Sequence, residues 1–203
     1  MEGRINGVSG ALLVATALLA PALSFAQQAS KASASGFDYN YAELSYDKHD
    51  FDVSRAPDNI NGDGFTLSGS FKVADDWHVY ASYGTANLDF GIDVDTWVLG
   101  LGYQYSLKPN VDLYGRVLYI DQSASANGFS SHDNGLGVQF RVRGRVNDKV
   151  ELEGGIQYID VASSDTSLQG SVRYYFTRAF SAGLGVTFGG NQDGLSVNAR
   201  YSF

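Results

Sequence analysis

Leu195-Ser-Val-Asn-Ala-Arg-Tyr-Ser-Phe203 closes the chain in strict alternation. Leu195, Val197, Ala199, Tyr201 and Phe203 fall on one side, and Ser196, Asn198, Arg200 and Ser202 on the other. Successive side chains of a strand point to opposite faces, so this segment is a strand with one apolar and one polar face. Working back from it, nine earlier segments repeat the pattern: Tyr39–Asp47, Gly64–Val73, Trp77–Thr85, Thr96–Tyr105, Val111–Ile120, Gly135–Val146, Val150–Ile159, Leu168–Phe176 and Phe180–Phe188. Each is close to the roughly 9–11 residues that a tilted strand needs to cross a hydrocarbon core.

The connections alternate as well. Ala74–Asp76, Ser106–Asn110, Asn147–Lys149 and Thr177–Ala179 are short, whereas Lys48–Asp63, Ala86–Asp95, Asp121–Asn134, Asp160–Ser167 and Gly189–Gly194 are longer and polar. Tight turns at one rim and longer loops at the other describe an outer-membrane barrel, with turns periplasmic and loops extracellular. Aromatic residues on the apolar faces gather at both strand ends. Phe71, Trp77, Tyr103, Tyr105, Phe176, Phe180, Tyr201 and Phe203 lie toward the turns, and Tyr46, Phe65, Tyr83, Trp97, Tyr119, Tyr158 and Phe188 toward the loops. Between them the outward positions are mostly Leu, Val, Ala and Gly. Two aromatic belts around an aliphatic band are what amphipathic rings form at two membrane interfaces. The expected fold is an all-β, antiparallel, up-and-down transmembrane barrel of about ten strands over residues 37–203. Eight would remain if the weak first and seventh segments were loops.

The N-terminal region supplies the compartment. Arg4 precedes the apolar run Ala11–Ala20, Pro21 ends it, and Ser24-Phe25-Ala26 offers small residues at a cleavage site. Residues 1–26 read as a signal peptide cut between Ala26 and Gln27, followed by a disordered leader over 27–36. Cleavage removes one acid (Glu2) and one base (Arg4), so the net charge stays at −8. That balance argues against nucleic-acid binding, which needs a basic footprint. The chain has no cysteine, which removes disulfides and thiolate-held metals. No cofactor is expected.

Phe37–Tyr46, Gly62–Phe71, Asp93–Tyr103 and Lys108–Val117 resemble the small outer-membrane barrels of the Ax-type family, best over residues 37–120. The resemblance implies an exported barrel found in outer membranes and vesicles, associated with proposals about plant innate immunity, quorum sensing, biofilm, motility and virulence. It carries no catalytic or ligand residues to transfer.

The polar faces hold a skewed charge set. Lys72, Arg116, Arg141, Arg143, Arg145, Arg173 and Arg200 face Glu43, Asp112, Glu151 and Glu153, seven bases against four acids. The turn at Asn147–Lys149 is expected to pair Arg145 with Glu151 and Arg143 with Glu153 across neighbouring strands. Such pairs either plug a narrow lumen or line an anion-preferring pore. His78 is expected inside, near the turns. Aspartates crowd the loops, where Asp47, Asp50, Asp52 and Asp58 could bind calcium or magnesium or simply keep loops solvated. Ser130-Ser131-His132-Asp133 brings nucleophile, base and acid types together in the third loop, but neighbours on extended chain diverge, so no catalytic role is assigned.

The leading expectation is a non-enzymatic outer-membrane barrel serving envelope integrity, surface adhesion, biofilm or virulence. The alternatives are a narrow anion-preferring pore for small solutes and, last, a lipid-modifying hydrolase. The expected partners are outer-membrane lipids and lipopolysaccharide, the barrel assembly machinery reading Tyr201 and Phe203, and periplasmic chaperones, with the barrel itself a monomer.

Overall fold

A computed structural model describes residues 36–51, 60–126, 128–189 and 192–203. The expected signal peptide, the Ala26–Gln27 cut and residues 27–35 of the leader lie outside them, as do Asp52 and Asp58.

Alternation gives the sheet one apolar and one polar face, and the chain closes on itself so that the polar face lines an interior and the apolar face turns outward. The strands are β1 (Tyr41–Phe51), β2 (Ile60–Lys72), β3 (Trp77–Leu88), β4 (Ile92–Lys108) and β5 (Val111–Ala126). They continue with β6 (Phe129–Asn147), β7 (Val150–Val161), β8 (Ser163–Tyr175), β9 (Phe180–Phe188) and β10 (Gln192–Ser202). Each pairs antiparallel with its sequence neighbour, and β1 pairs with β10, so the ten strands form a closed barrel. The seam runs from Tyr41 opposite Ser202 to Phe51 opposite Gln192. Closure leaves no free edge among the strands, which is the condition for strands to sit in lipid.

The barrel is inside-out relative to a soluble protein. Leu99, Leu101, Val117, Phe140, Leu152, Leu184 and Val197 are exposed on the outer wall, whereas Gln104, Asp112, Arg143, Glu151 and Ser181 are buried within. Glycines set the close approach of neighbouring side chains. His78 lies across Gly102, where a Cβ would overlap its imidazole.

The strands depart from the sequence-based expectation in three ways. First, they run from 9 to 19 residues, because segments expected to be loops continue the hydrogen-bonded ladder. Asp93 pairs with Asn87 and Ser125, and Ser131 with Ala124, beyond the aromatic belt. Above that belt the polarity inverts. Asp93, Asp95, Ser123 and Ser125 share the outward phase, while Ile92, Val94, Ala124 and Ala126 share the inward one. Backbone pairing does not require lipid, so hairpins extend into water once their outer face is polar. Only short connections remain there among the described residues, including Asp89–Gly91, with Phe90 at φ 65°, and Ala162 at φ 56°.

Second, β1 begins at Tyr41 rather than Tyr39, and residues 37–40 leave the wall. Third, the backbone register places Arg143 opposite Glu153 and Arg145 opposite Glu151, yet the ion pairs form one step along. Arg143 binds Glu151 at 2.7 Å and Arg141 binds Glu153 at 2.6 Å. Twisted strands bring diagonal neighbours within reach of long side chains, so the diagonal pairing wins.

Candidate functional site: the charged lumen

The lumen nearest the short turns is built by inward positions of all ten strands. Glu43 of β1 accepts from two arginines through one oxygen: Arg173 Nη2 at 2.5 Å and Arg200 Nε at 2.8 Å. Arg200 also lies over the Tyr41 ring at 3.9 Å. Arg143 donates to Glu151, which also accepts from the Tyr175 hydroxyl at 2.7 Å. Arg141 reaches Glu153 and the carboxamide of Gln169.

Arg116 is held differently. Its guanidinium sits over the rings of Tyr80 (4.5 Å) and Tyr114 (4.8 Å), and its Nε donates to His78 Nε2 at 3.0 Å. Arginine Nε can only donate, so His78 Nε2 must be a bare acceptor and the ring proton sits on Nδ1. His78 is therefore neutral, and no part of its surface is exposed.

Of the expected lumen set, Glu43, Asp112, Arg116, Arg141, Arg143, Glu151, Glu153, Arg173 and Arg200 form one connected interior. Lys72 and Arg145 sit at its turn-side mouth. Among the described residues, Arg116, Arg145 and Lys72 have no carboxylate within salt-bridge distance, and Arg145 Nε has no hydrogen-bond partner. A positive surplus thus persists after the pairs are formed.

The residues missed from sequence are Phe37, Asp38 and Tyr39. The Tyr39 side chain is 1 % exposed and Phe37 3 % exposed. Tyr39 packs on His78 (4.9 Å between ring centroids) and edge-on to Tyr114 (5.9 Å), and its hydroxyl donates to Asp112 Oδ2 at 3.1 Å. Phe37 lies under the guanidinium groups of Arg143 (4.8 Å) and Arg145 (5.1 Å), and Arg143 Nη1 donates to the Asp38 carbonyl at 3.2 Å. Each cation–ring contact contributes about 0.5–2 kcal/mol, more when dry. Burial holds the Asp38 carboxyl above the usual carboxylate range, against the Asn40 amide and the cations Arg143, Lys72 and Arg145, which act to lower it. A signal was present: Phe37, Tyr39 and Tyr41 put three aromatics in phase with the polar face of β1.

The Ser130–Asp133 stretch lies within β6 rather than in a loop. Ser131 Oγ donates to Asp133 at 3.1 Å, while His132 Nε2 lies 3.3 Å from Asp121. Period 2 sends Ser131 and Asp133 to one face and His132 to the other, so the imidazole is not placed to take the Ser131 proton.

Residues 14–125 match the family profile described as Gram-negative porin, more than half of the chain. The chain belongs to this family. No curated protein matches the sequence. Among solved structures, this porin-family chain is similar to the β domain of the Bordetella autotransporter BrkA. Identity is 14 % and the TM-score 0.53, covering 82 % of this chain and 100 % of that one. It is also similar to KdgM porin in complex with disordered oligogalacturonate, at 11 % identity and TM-score 0.48, covering 80 % and 99 %. The likeness to the BrkA β domain is one of fold. The porin-family assignment makes this a small outer-membrane barrel, so its short turns face the periplasm and its extended hairpins the exterior.

Proposed function

We propose that the protein is a narrow, anion-preferring passage for small solutes. The observation that carries this reading is the lumen's residual positive charge: among the described residues Arg116, Arg145 and Lys72 stand without a carboxylate partner, and the single carboxylate of Glu43 is shared by Arg173 and Arg200. Fixed cations in a low-dielectric tube lower the barrier for anions and raise it for cations. Membership of the Gram-negative porin family supports it. The test is reversal potential in planar bilayers under a potassium chloride gradient. A chloride-side shift that falls when Arg145 and Lys72 are both changed to Gln is the expected result; a cation-side shift ends the reading.

A second reading, a role in envelope integrity, surface adhesion, biofilm or virulence, is favoured by the hairpin tips. Phe90 is 77 % and Phe129 82 % exposed at the extracellular ends of β3–β4 and β5–β6. Large exposed rings on a soluble rim are sites of contact rather than of stability. The Ax-type resemblance of residues 37–120 points the same way. Lipopolysaccharide, the assembly machinery and periplasmic chaperones are the partners this reading uses, with the barrel acting as a monomer. Loss of surface attachment in a Phe90→Ser/Phe129→Ser strain with normal barrel levels supports it, and unchanged attachment opposes it.

A further inference from the structure

The short segment Gly36–Asn40 crosses the periplasmic mouth. It leaves the wall at β1, where Asn40 still accepts from the Phe203 amide at 3.1 Å and its side chain accepts from the Lys72 amide at 2.7 Å. It then meets the far side of the barrel. Tyr39 binds Asp112 of β5, Phe37 lies against Arg143 and Arg145 of β6, and Gly36 lies beside the Pro109 carbonyl in the β4–β5 turn. In a ten-strand barrel, β1 and β6 are opposite walls. The segment therefore spans the opening and fills it with two buried rings.

We infer that Phe37-Asp38-Tyr39 is an internal plug that closes the lumen from the periplasmic side and must leave for solute to pass. This rests on the channel reading and supplies its regulation. The attachments suit a part that can be withdrawn. They include ring and cation–ring contacts of Phe37 and Tyr39, the Tyr39–Asp112 phenol–carboxylate bond and the Arg143–Asp38 guanidinium–carbonyl bond, all of them noncovalent. The groups the plug covers, Arg143, Arg145 and Lys72 with Asp112 and His78, are polar. The uncovered mouth would therefore accept water and small anions in place of the rings. The inner wall beyond the plug keeps its own partners: Glu43 stays with Arg173 and Arg200, and Glu151 with Tyr175. Withdrawal would open the mouth without dismantling the barrel.

The chain has no native cysteine, so one can be placed freely. Asp38→Cys is introduced alone, and again with Phe37→Ala/Tyr39→Ala, and maleimide labelling is timed against a Lys149→Cys variant at the exposed β6–β7 turn. Heat-dependent migration on gels confirms that each variant is a folded barrel. With the plug rings intact, the thiol of the Asp38→Cys variant is expected to label about tenfold more slowly than that of Lys149→Cys, in proportion to the time the plug is out, and at a similar rate once the rings are removed. In planar bilayers the Phe37→Ala/Tyr39→Ala protein should carry severalfold more current than the unchanged protein. Equally fast labelling of the two single variants overturns the plug, and so does equal, open conductance of the unchanged and ring-deleted proteins. A ring-deleted barrel whose thiol at position 38 is accessible but which passes no current overturns instead the channel reading beneath it.

Discussion

Arg116 of β5 reaches Tyr41 of β1 across the barrel interior, its Nη2 3.4 Å from the phenolic oxygen. Strands that share no ladder are thereby joined through the lumen, in the layer just inside the plug. The same guanidinium is sandwiched against Tyr80 and Tyr114 and donates to His78. Replacing it removes a cross-brace and strands buried acceptors. Arg116→Met is expected to lower unfolding free energy by about 2–3 kcal/mol, the cost of unsatisfied buried partners together with lost ring contacts. Guanidinium titration of the barrel in micelles measures this. Unchanged midpoints would show that the brace carries no net stability.

Glu43 serves two arginines with one carboxylate oxygen, so its loss leaves two buried guanidiniums uncompensated. Glu153, by contrast, forms a salt bridge with one arginine, Arg141, among the described residues. Removing one partner of a buried pair costs about 3–5 kcal/mol, chiefly from the charge left behind. Glu43→Gln should therefore destabilise more than Glu153→Gln under identical denaturant titration. Equal losses would mean that water reaches Arg173 and Arg200 once the carboxylate is gone.

The strands, the seam at β10 and the two belts were legible because lipid on one side and a polar lumen on the other impose alternation at every membrane-depth position. Above the outer belt that constraint disappears. At Asp93–Asp95 and Ser123–Ser125 both faces meet water or a vestibule, and composition cannot separate a hairpin from a loop. The charged residues of the polar face are legible as a set, but the direct cross-strand pairing expected of them is not the one that forms. Face follows from period 2, whereas pairing of Arg141, Arg143, Glu151 and Glu153 depends on strand twist and side-chain reach. The plug escaped because Phe37 and Tyr39 keep β1's phase and so read as its first residues. Their aromatic character on the polar face was the overlooked sign.

The position of Asp38 makes the plug sensitive to pH in a definite direction. Burial raises its pKa above that of an exposed aspartate, so the seated plug binds a proton more tightly than the withdrawn one. Its contribution to seating is complete below the ordinary aspartate pKa and is lost as pH rises through the raised value. Lys72, Arg143 and Arg145 are the cations that face it and act to lower its pKa. Current through the unchanged protein should accordingly be smaller in acid and grow toward neutral pH. Asp38→Asn should flatten the profile near the acid level. A current that falls as pH rises contradicts this sign.

Phe203 has two separable parts. Its amide donates to Asn40 at the point where the chain turns into the lumen, while its ring stacks on Tyr201 at 6.3 Å between centroids. Phe203→Ala keeps the amide and removes only the ring, which is half-buried at the periplasmic belt. A partly exposed belt residue of this kind should cost under about 1.5 kcal/mol in a barrel already folded. If the ring is also what the assembly machinery reads, outer-membrane levels in cells should fall severalfold while the purified variant refolds in micelles with nearly unchanged midpoint. A parallel fall in both would make the ring a stability element alone, and normal levels in cells would remove its role in assembly.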